Sequence, residues 1–220
     1  MLSKRPELAE RFRRFIESGP DLRAVIHDPL QPGVAGRRLA SILDETRLRR
    51  VLAKMLDDAT KLSAKSNGLF NPAIGHLIGI WGFQRDEFSA VTIDDEKIKS
   101  LVKANPSMSD IVVRNNTVYS KNPTVKLDLG GYAKGYALDI AAAYLRKEHV
   151  KNALVNIGGN IIALGQHGNK PWRVGIQHPR MPTAIAILDL PDGWAIGTSG
   201  DYQSYFILNG TRYCHIIDQR

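Results

Sequence analysis

A single cysteine, Cys214, occurs in the 220 residues, so no internal disulfide can form and thiols assign no redox compartment. Nowhere do eighteen apolar residues run together, so no segment is expected to cross a bilayer as a helix. Met1 to Ile16 is charged throughout, unlike the apolar centre of a secretory signal. The chain has no G-x-G-x-x-G and no regular alternation of strand and helix, which argues against a Rossmann-type sheet. Aromatic residues make up 7% of the chain and do not interleave with basic ones as a nucleic-acid stripe does. No nucleic acid is therefore expected as a partner.

What is present in excess is positive charge. The net charge is +8 and the isoelectric point about 9.6. Residues 1–54 carry twelve Lys/Arg against seven Asp/Glu, so most of the excess lies early. These charges alternate with acids and apolar residues, as on a solvated helix face. An anionic ligand or a membrane surface accounts for them as well as a basic binding module does.

The most informative stretch is Leu127-Asp128-Leu129-Gly130-Gly131-Tyr132-Ala133-Lys134-Gly135-Tyr136. A β-type run, Val125 to Leu129, is expected to end in a carboxylate and two glycines. A helix then follows with Ala137, Ile140, Ala141, Tyr144 and Leu145 on one face. Glycines at such a turn let backbone approach a ligand, because no Cβ intervenes. A helix N-terminus there offers N–H groups to an anion, and Lys134 adds a mobile positive charge. On these residues alone, a nucleotide-phosphate site and a glycine-rich turn with a surface lysine remain equal readings.

The rest of the pattern predicts a domain of strands joined by hairpins with a few helices. Residues 1–43 read as a separate segment, with a short amphipathic helix over Pro6–Glu17 and a turn-rich loop from Asp28 to Gly36. Residues 44–220 form the main domain. A helix is predicted from Asp44 to Lys65, its core face made by Leu48, Val51, Leu52, Met55, Ala59 and Leu62, with Gly68 as its stop. Thr92-Ile93-Asp94-Asp95 reads as a capping box opening a helix to about Ala104. Hairpins are predicted at Ile111–Tyr119 around Asn115-Asn116, at Ala153–Leu164 around Gly158-Gly159, and at Tyr205–Ile217 around Asn209-Gly210. Trp172–Gln177, Thr183–Leu190 and Trp194–Gly197 read as further strands. The expected class is α+β with an antiparallel sheet. On sequence alone a core plug is one of two equal readings of Trp81-Gly82-Phe83, the other being a ligand contact, and His76, which has no partner pattern, reads as structural.

Asp-Leu-Gly-Gly-x-Ala-Lys-Gly-Tyr resembles the signature of the ApbE family, the FAD:protein FMN transferases. Four more blocks stand in that family's order. They are Gly68–Pro72 running to Ile80–Phe83, Val155–Ile161, Thr198-Ser199-Gly200-Asp201-Tyr202, and His215-Ile216-Ile217-Asp218. The resemblance covers roughly residues 45 to 220. It implies a two-layer fold related to the T-fold, with FAD as substrate and Mg²⁺ as metal. FMN would pass from FAD to a threonine of an acceptor, a flavin-carrying subunit of a respiratory electron-transfer complex, with release of AMP. It also implies the periplasmic face of a bacterial inner membrane, although the chain shows no export signal.

Carried over residue by residue, the resemblance makes Asp128 and Lys134 a FAD-contacting pair. It gives Gly131 a backbone oxygen for the metal, and Ile217 a flavin contact. Trp81, Gly82 and Phe83 would touch FAD, His215 is the residue needed for turnover, and Thr198, Ser199, Gly158 and Gly159 would meet phosphate or ribose. Two departures bear on activity. Asn160 stands where the family often has aspartate, and Gln219-Arg220 ends the chain before the aspartate and threonine that complete the family's metal site. The alternative reading is a non-catalytic FAD-binding remnant lacking those ligands.

Overall fold

The computed structural model describes residues 45–84, 91–114 and 117–219. The readings for Pro6–Glu17, Asp28–Gly36 and the Asn115-Asn116 turn lie outside them. The described residues fall into two compact units. One comprises Tyr132–Gln203; the other runs up to Gly131 and resumes at Ser204.

In the second of these, α1 (Glu45–Lys65) forms from a run without glycine or proline. Its buried face differs from the predicted stripe. Ala53, Met55, Leu56, Ala59 and Ser63 are buried, whereas Leu52 and Leu62 are 39% and 44% exposed. The reason is the partner surface: Leu56 and Ala59 close on Ala73 and Met108, with Phe70 and Leu129 packed alongside, and that contact decides which side of the helix is dry. The stop also begins one residue earlier than expected. Asn67 and Gly68 both take positive φ, 52° and 78°, with Asn67 N–H donating to Ala64 O and Gly68 N–H to Ser63 O.

A short helix, α2 (Gly75–Ile80), and α3 (Asp95–Ala104) follow. The predicted capping box at Thr92 is not what starts α3. Asp94 is the N-cap and accepts from Lys97 N–H; a lysine there cannot return the second bond of a box. A reciprocal box does form at Ser107 and Asp110, leading into β1 (Ile111–Arg114), which pairs antiparallel with β2 (Thr117–Ser120).

The predicted strand over Val125–Leu129 is absent. Its segment makes only an isolated parallel bridge, Ile74 to Lys126. Gly75 N–H donates to Lys126 O, Lys126 N–H to Ala73 O, and Asp128 N–H to Pro72 O. The partner segment turns into α2 at Gly75, so the ladder has nowhere to continue. Gly75 must be glycine here: a Cβ would stand 2.6 Å from the Lys126 carbonyl oxygen. β8 (Tyr205–Leu208) and β9 (Thr211–Cys214) complete this unit as a hairpin. Asn209 and Gly210 supply its two positive-φ turn residues, 49° and 76°. The strand ends at Cys214, short of the predicted Ile217. Exposed His76 is on α2.

The other unit is built on α4 (Gly130–Lys147), which buries Ala133, Ala137, Leu138, Ala141, Ala142 and Leu145. β3 (Ala153–Ile157) and β4 (Asn160–Leu164) pair from Ala153–Leu164 to Ile157–Asn160, and β7 (Ala195–Ile196) lines the far side of β4. β5 (Trp172–Gln177) and β6 (Ala184–Leu190) form a separate ribbon with a register shift at Ile176/Gln177. Ala163, Val174 and Leu190 make the buried centre. Every strand pair among the described residues is antiparallel. The expected α+β class is thus the observed one.

Candidate active site

The Gly158-Gly159 turn links β3 to β4 with both residues at positive φ, 55° and 86°, as a two-residue hairpin turn of right-handed strands requires. Its hydrogen bonds bind a third segment to it. Thr198 Oγ1 donates to Gly159 O at 2.9 Å, Thr198 N–H donates to Asn160 Oδ1 at 3.0 Å, and Gly159 N–H donates to Asn156 Oδ1 at 2.9 Å. The Lys134 ammonium reaches the same turn: its Nζ lies 3.3 Å from the point where a Cβ on Gly158 would begin. Four residues singled out in the sequence, Lys134, Gly158, Gly159 and Thr198, therefore come together. Ser199 is exposed, and the turn's hydrogen bonds run through its neighbour.

Asn156 and Asn160 carry this arrangement and were not assigned a role from sequence. Asn156 sits inside the Val155–Ile161 block, and its signal was an amide two residues before a Gly-Gly turn. Asn160 reads in sequence as a missing negative charge. In the structure its Oδ1 does what an aspartate oxygen would do toward Thr198 N–H, without adding an anion beside Lys134. Farther along, Arg180 Nη2 meets Asp201 Oδ2 at 2.8 Å and Nη1 meets Oδ1 at 3.3 Å. This fork ties the β5–β6 connection to the loop that follows Thr198.

Asp128 has a different setting. Its Oδ1 accepts the Gly130 N–H at 2.9 Å, so the carboxylate occupies the N-terminal end of α4. Of the N–H groups expected at this helix end, that of Gly130 is bonded to Asp128. One donor is already taken by a negative group, which would oppose a phosphate at the same place unless a cation intervened. Gly131 lies in the first turn of α4, where its carbonyl points along the helix. On their own, one carboxylate and one such carbonyl do not make a magnesium site. No group of three or more His, Cys, Asp or Glu suited to a metal occurs among the described residues.

Trp81-Gly82-Phe83 terminates α2. Gly82 N–H donates to Gly79 O and Phe83 N–H to Ile78 O, with Gly82 at φ 77°. This is the Schellman arrangement, and it turns the two aromatic side chains onto the β8–β9 hairpin. Trp81 stacks on Tyr213 (centroids 5.3 Å apart), Tyr213 on Phe206 (5.5 Å), and Phe206 on Phe83 (5.4 Å). His215 meets the Phe83 ring edge-on at 6.5 Å and its Nδ1 lies 3.4 Å from Ser204 O. Ile217 packs against the cluster of Ile74, Leu77 and Leu101. Phe206 and Tyr213 thus belong to the stack whose end ring, Phe83, meets the histidine. Sequence reasoning placed them only as strand residues, since alternation does not say which ring a strand face will meet.

The ApbE family model matches residues 36–220. The chain belongs to the ApbE family. A FAD:protein FMN transferase of Rhodobacter capsulatus is 42% identical over 169 residues, covering 77% of this chain and 32% of that protein. One from Klebsiella pneumoniae is 34% identical over 184 residues, 79% of this chain and 52% of that protein. The chain therefore spans between a third and about half the length of these relatives. Among solved structures, the flavin transferase ApbE of Vibrio cholerae superposes with a TM-score of 0.72 at 25% identity, over 98% of this chain and 68% of that one. The ApbE protein of Thermotoga maritima gives 0.70 at 31% identity, over 80% of this chain and 56% of that one.

Proposed function

We propose that this chain is the flavin-binding part of a FAD:protein FMN transferase. The observation that carries the reading is the convergence of Lys134, the Gly158-Gly159 turn and Thr198, a small cationic cradle suited to phosphate oxygens. In the reaction, a threonine hydroxyl of the acceptor attacks the phosphorus on the FMN side of the FAD pyrophosphate. The phosphorus–oxygen bond to AMP breaks, and AMP leaves with the bridging oxygen. Lys134 offsets charge on the pyrophosphate, and charge neutralisation with positioning does most of the work in such transfers. Thr198, fixed on Gly159, keeps its hydroxyl beside that charge.

His215 receives the proton of the attacking hydroxyl. Its Nδ1 lies 3.4 Å from the Ser204 carbonyl oxygen, an arrangement compatible with the tautomer in which Nε2 is the base. Mg²⁺ is proposed as the ion that reconciles the Asp128 carboxylate with an anionic substrate. The Asp128 carboxylate and the Gly131 carbonyl would be its partial support. The acceptor is proposed to be a flavin-carrying subunit of a respiratory complex at the periplasmic face of the inner membrane. No described helix is long and apolar enough to cross a membrane.

The test is a titration of this chain with FAD, with and without Mg²⁺, followed by flavin fluorescence, and then AMP release with a threonine-containing peptide. Binding strengthened by Mg²⁺ together with AMP release is the expected result. Binding indifferent to Mg²⁺, without AMP, would make the chain a non-catalytic flavin binder. No binding by folded protein would overturn the proposal.

A further inference from the structure

We propose that Arg180 is a positioning residue: through its fork on Asp201 it holds the segment from Thr198 to Asp201 in place beside Lys134 and the Gly158-Gly159 turn. The ligand-binding part of this inference rests on the transferase reading above. Arg180 stands in the β5–β6 connection, which is fixed from within. His178 N–H donates to Thr183 O at 2.8 Å and closes the connection on itself. His178 Nδ1 accepts the backbone N–H groups of Arg180 at 3.0 Å and of Met181 at 3.1 Å, so a side chain braces the backbone that carries the guanidinium. Arg180 Nη1 also donates to Pro179 O at 3.1 Å, which orients the guanidinium plane. From that plane Nη2 and Nη1 meet the two oxygens of Asp201 at 2.8 and 3.3 Å, a two-point contact that a lysine cannot supply.

The other end of the segment is pinned as well. Thr198 is bonded twice to the β3–β4 turn, through Oγ1 to Gly159 O and through its N–H to Asn160 Oδ1. Only Ser199 and Gly200 lie between the two anchors. Gly200 is closed in by Tyr202, since an added Cβ would stand 2.5 Å from Tyr202 Cε1. A span held at both ends presents the Thr198 hydroxyl and the exposed Ser199 in one arrangement before a ligand arrives. An already ordered loop spares the ligand the entropy of ordering it. The Arg180 and Asp201 side chains are 48% and 44% exposed, and ion pairs so placed add little to global stability. The effect of this one is therefore local. Its sign is also distinctive. On charge alone, removing Arg180 would weaken the binding of an anion and removing Asp201 would strengthen it. Positioning makes both changes weaken it.

The test measures FAD affinity, urea midpoint and amide exchange for the unaltered chain, Arg180→Gln, Asp201→Asn and the double variant. Each single variant is expected to bind FAD about three- to fivefold more weakly, the effect of releasing one exposed pair. The double variant should bind no worse than either, because groups that act as a unit give non-additive losses. Urea midpoints should not move. Tighter binding by Asp201→Asn would overturn the proposal in favour of charge alone. Additive losses would overturn it by giving each side chain a ligand contact of its own, and unchanged affinity in both would leave only a surface ion pair. Amide exchange needs no ligand. The Thr198 N–H is expected to exchange about threefold or more faster in both single variants, while the Ala163 N–H, bonded to Trp194 O, keeps its rate. Unchanged exchange at Thr198 would overturn the proposal. If the folded, unaltered chain binds no FAD, the transferase reading fails, and the Thr198 exchange alone decides this one.

Discussion

The Lys134 ammonium lies 3.3 Å from where a side chain on Gly158 would begin, so the bare glycine lets the cation sit against the β3–β4 turn without crowding. Gly158→Ala should therefore act twice. An alanine at φ 55° costs of the order of 1 kcal/mol in backbone strain, and its methyl crowds the Lys134 ammonium, which must give way by a few tenths of an ångström. FAD affinity is expected to fall in the same direction as in Lys134→Gln. Gly168→Ala is the control, since Gly168 has φ 66° and nothing within 4 Å of an added Cβ. It should lose comparable stability in urea and leave FAD binding unchanged. Equal loss of binding in both variants would refute the account of Gly158.

Asp128 serves the end of α4 through Oδ1. Asparagine keeps that acceptor and alanine removes it. Asp128→Ala is expected to cost roughly 1 kcal/mol in chemical denaturation, as loss of a helix cap does, and Asp128→Asn only a few tenths. Both should lose AMP release, because both remove the charge. Full activity in Asp128→Asn would reduce the residue to a cap.

Gly82 joins α2 to the aromatic stack. A Cβ there would stand 2.8 Å from Val91 Cγ1, at a backbone angle that L residues rarely adopt. Gly82→Ala is expected to destabilise the fold by about 2 kcal/mol, combining strain and crowding. The near-ultraviolet circular dichroism should weaken with it as Trp81 and Tyr213 separate. An unchanged urea midpoint would contradict this role.

Asp139, on α4, has its carboxyl pushed above the ordinary aspartate range by partial burial. Its folded pKa therefore exceeds its unfolded one, and protonation favours the folded state. This contribution is fully present below the ordinary aspartate range and is lost as pH rises through the raised value, leaving an ionised and partly desolvated group at neutrality. Asp139→Asn should raise the melting temperature at pH 7, with helix propensity nearly unchanged. That advantage should vanish in acid below the ordinary range. A variant less stable at pH 7 would disprove the inferred cost.

The sequence by itself determined most elements and the chemistry-bearing residues. Local rules suffice for these: two glycines between β-branched strands make the Gly158-Gly159 turn, Asn209-Gly210 makes another, and the uninterrupted run from Glu45 makes α1. The Lys134, Gly-Gly and Thr198 blocks were legible as candidates through their resemblance to the family's motifs, since composition alone reads a glycine-rich turn with a surface lysine equally well.

Only the tertiary structure decided what those residues meet. Val125–Leu129 has strand propensity, yet its available partner bends into α2, so no ladder forms. Leu52 and Leu62 fit the helical stripe, yet the surface of Ala73 and Met108 selects the face that buries Leu56. Asp128 reads as a ligand group and proves to be a helix cap as well. Phe83 and His215 are 132 positions apart in the chain, and a local pattern has no term for a ring contact across that separation. Propensity and periodicity act over a few residues, whereas burial and hydrogen-bond pairing are settled by whichever surfaces the whole chain brings together.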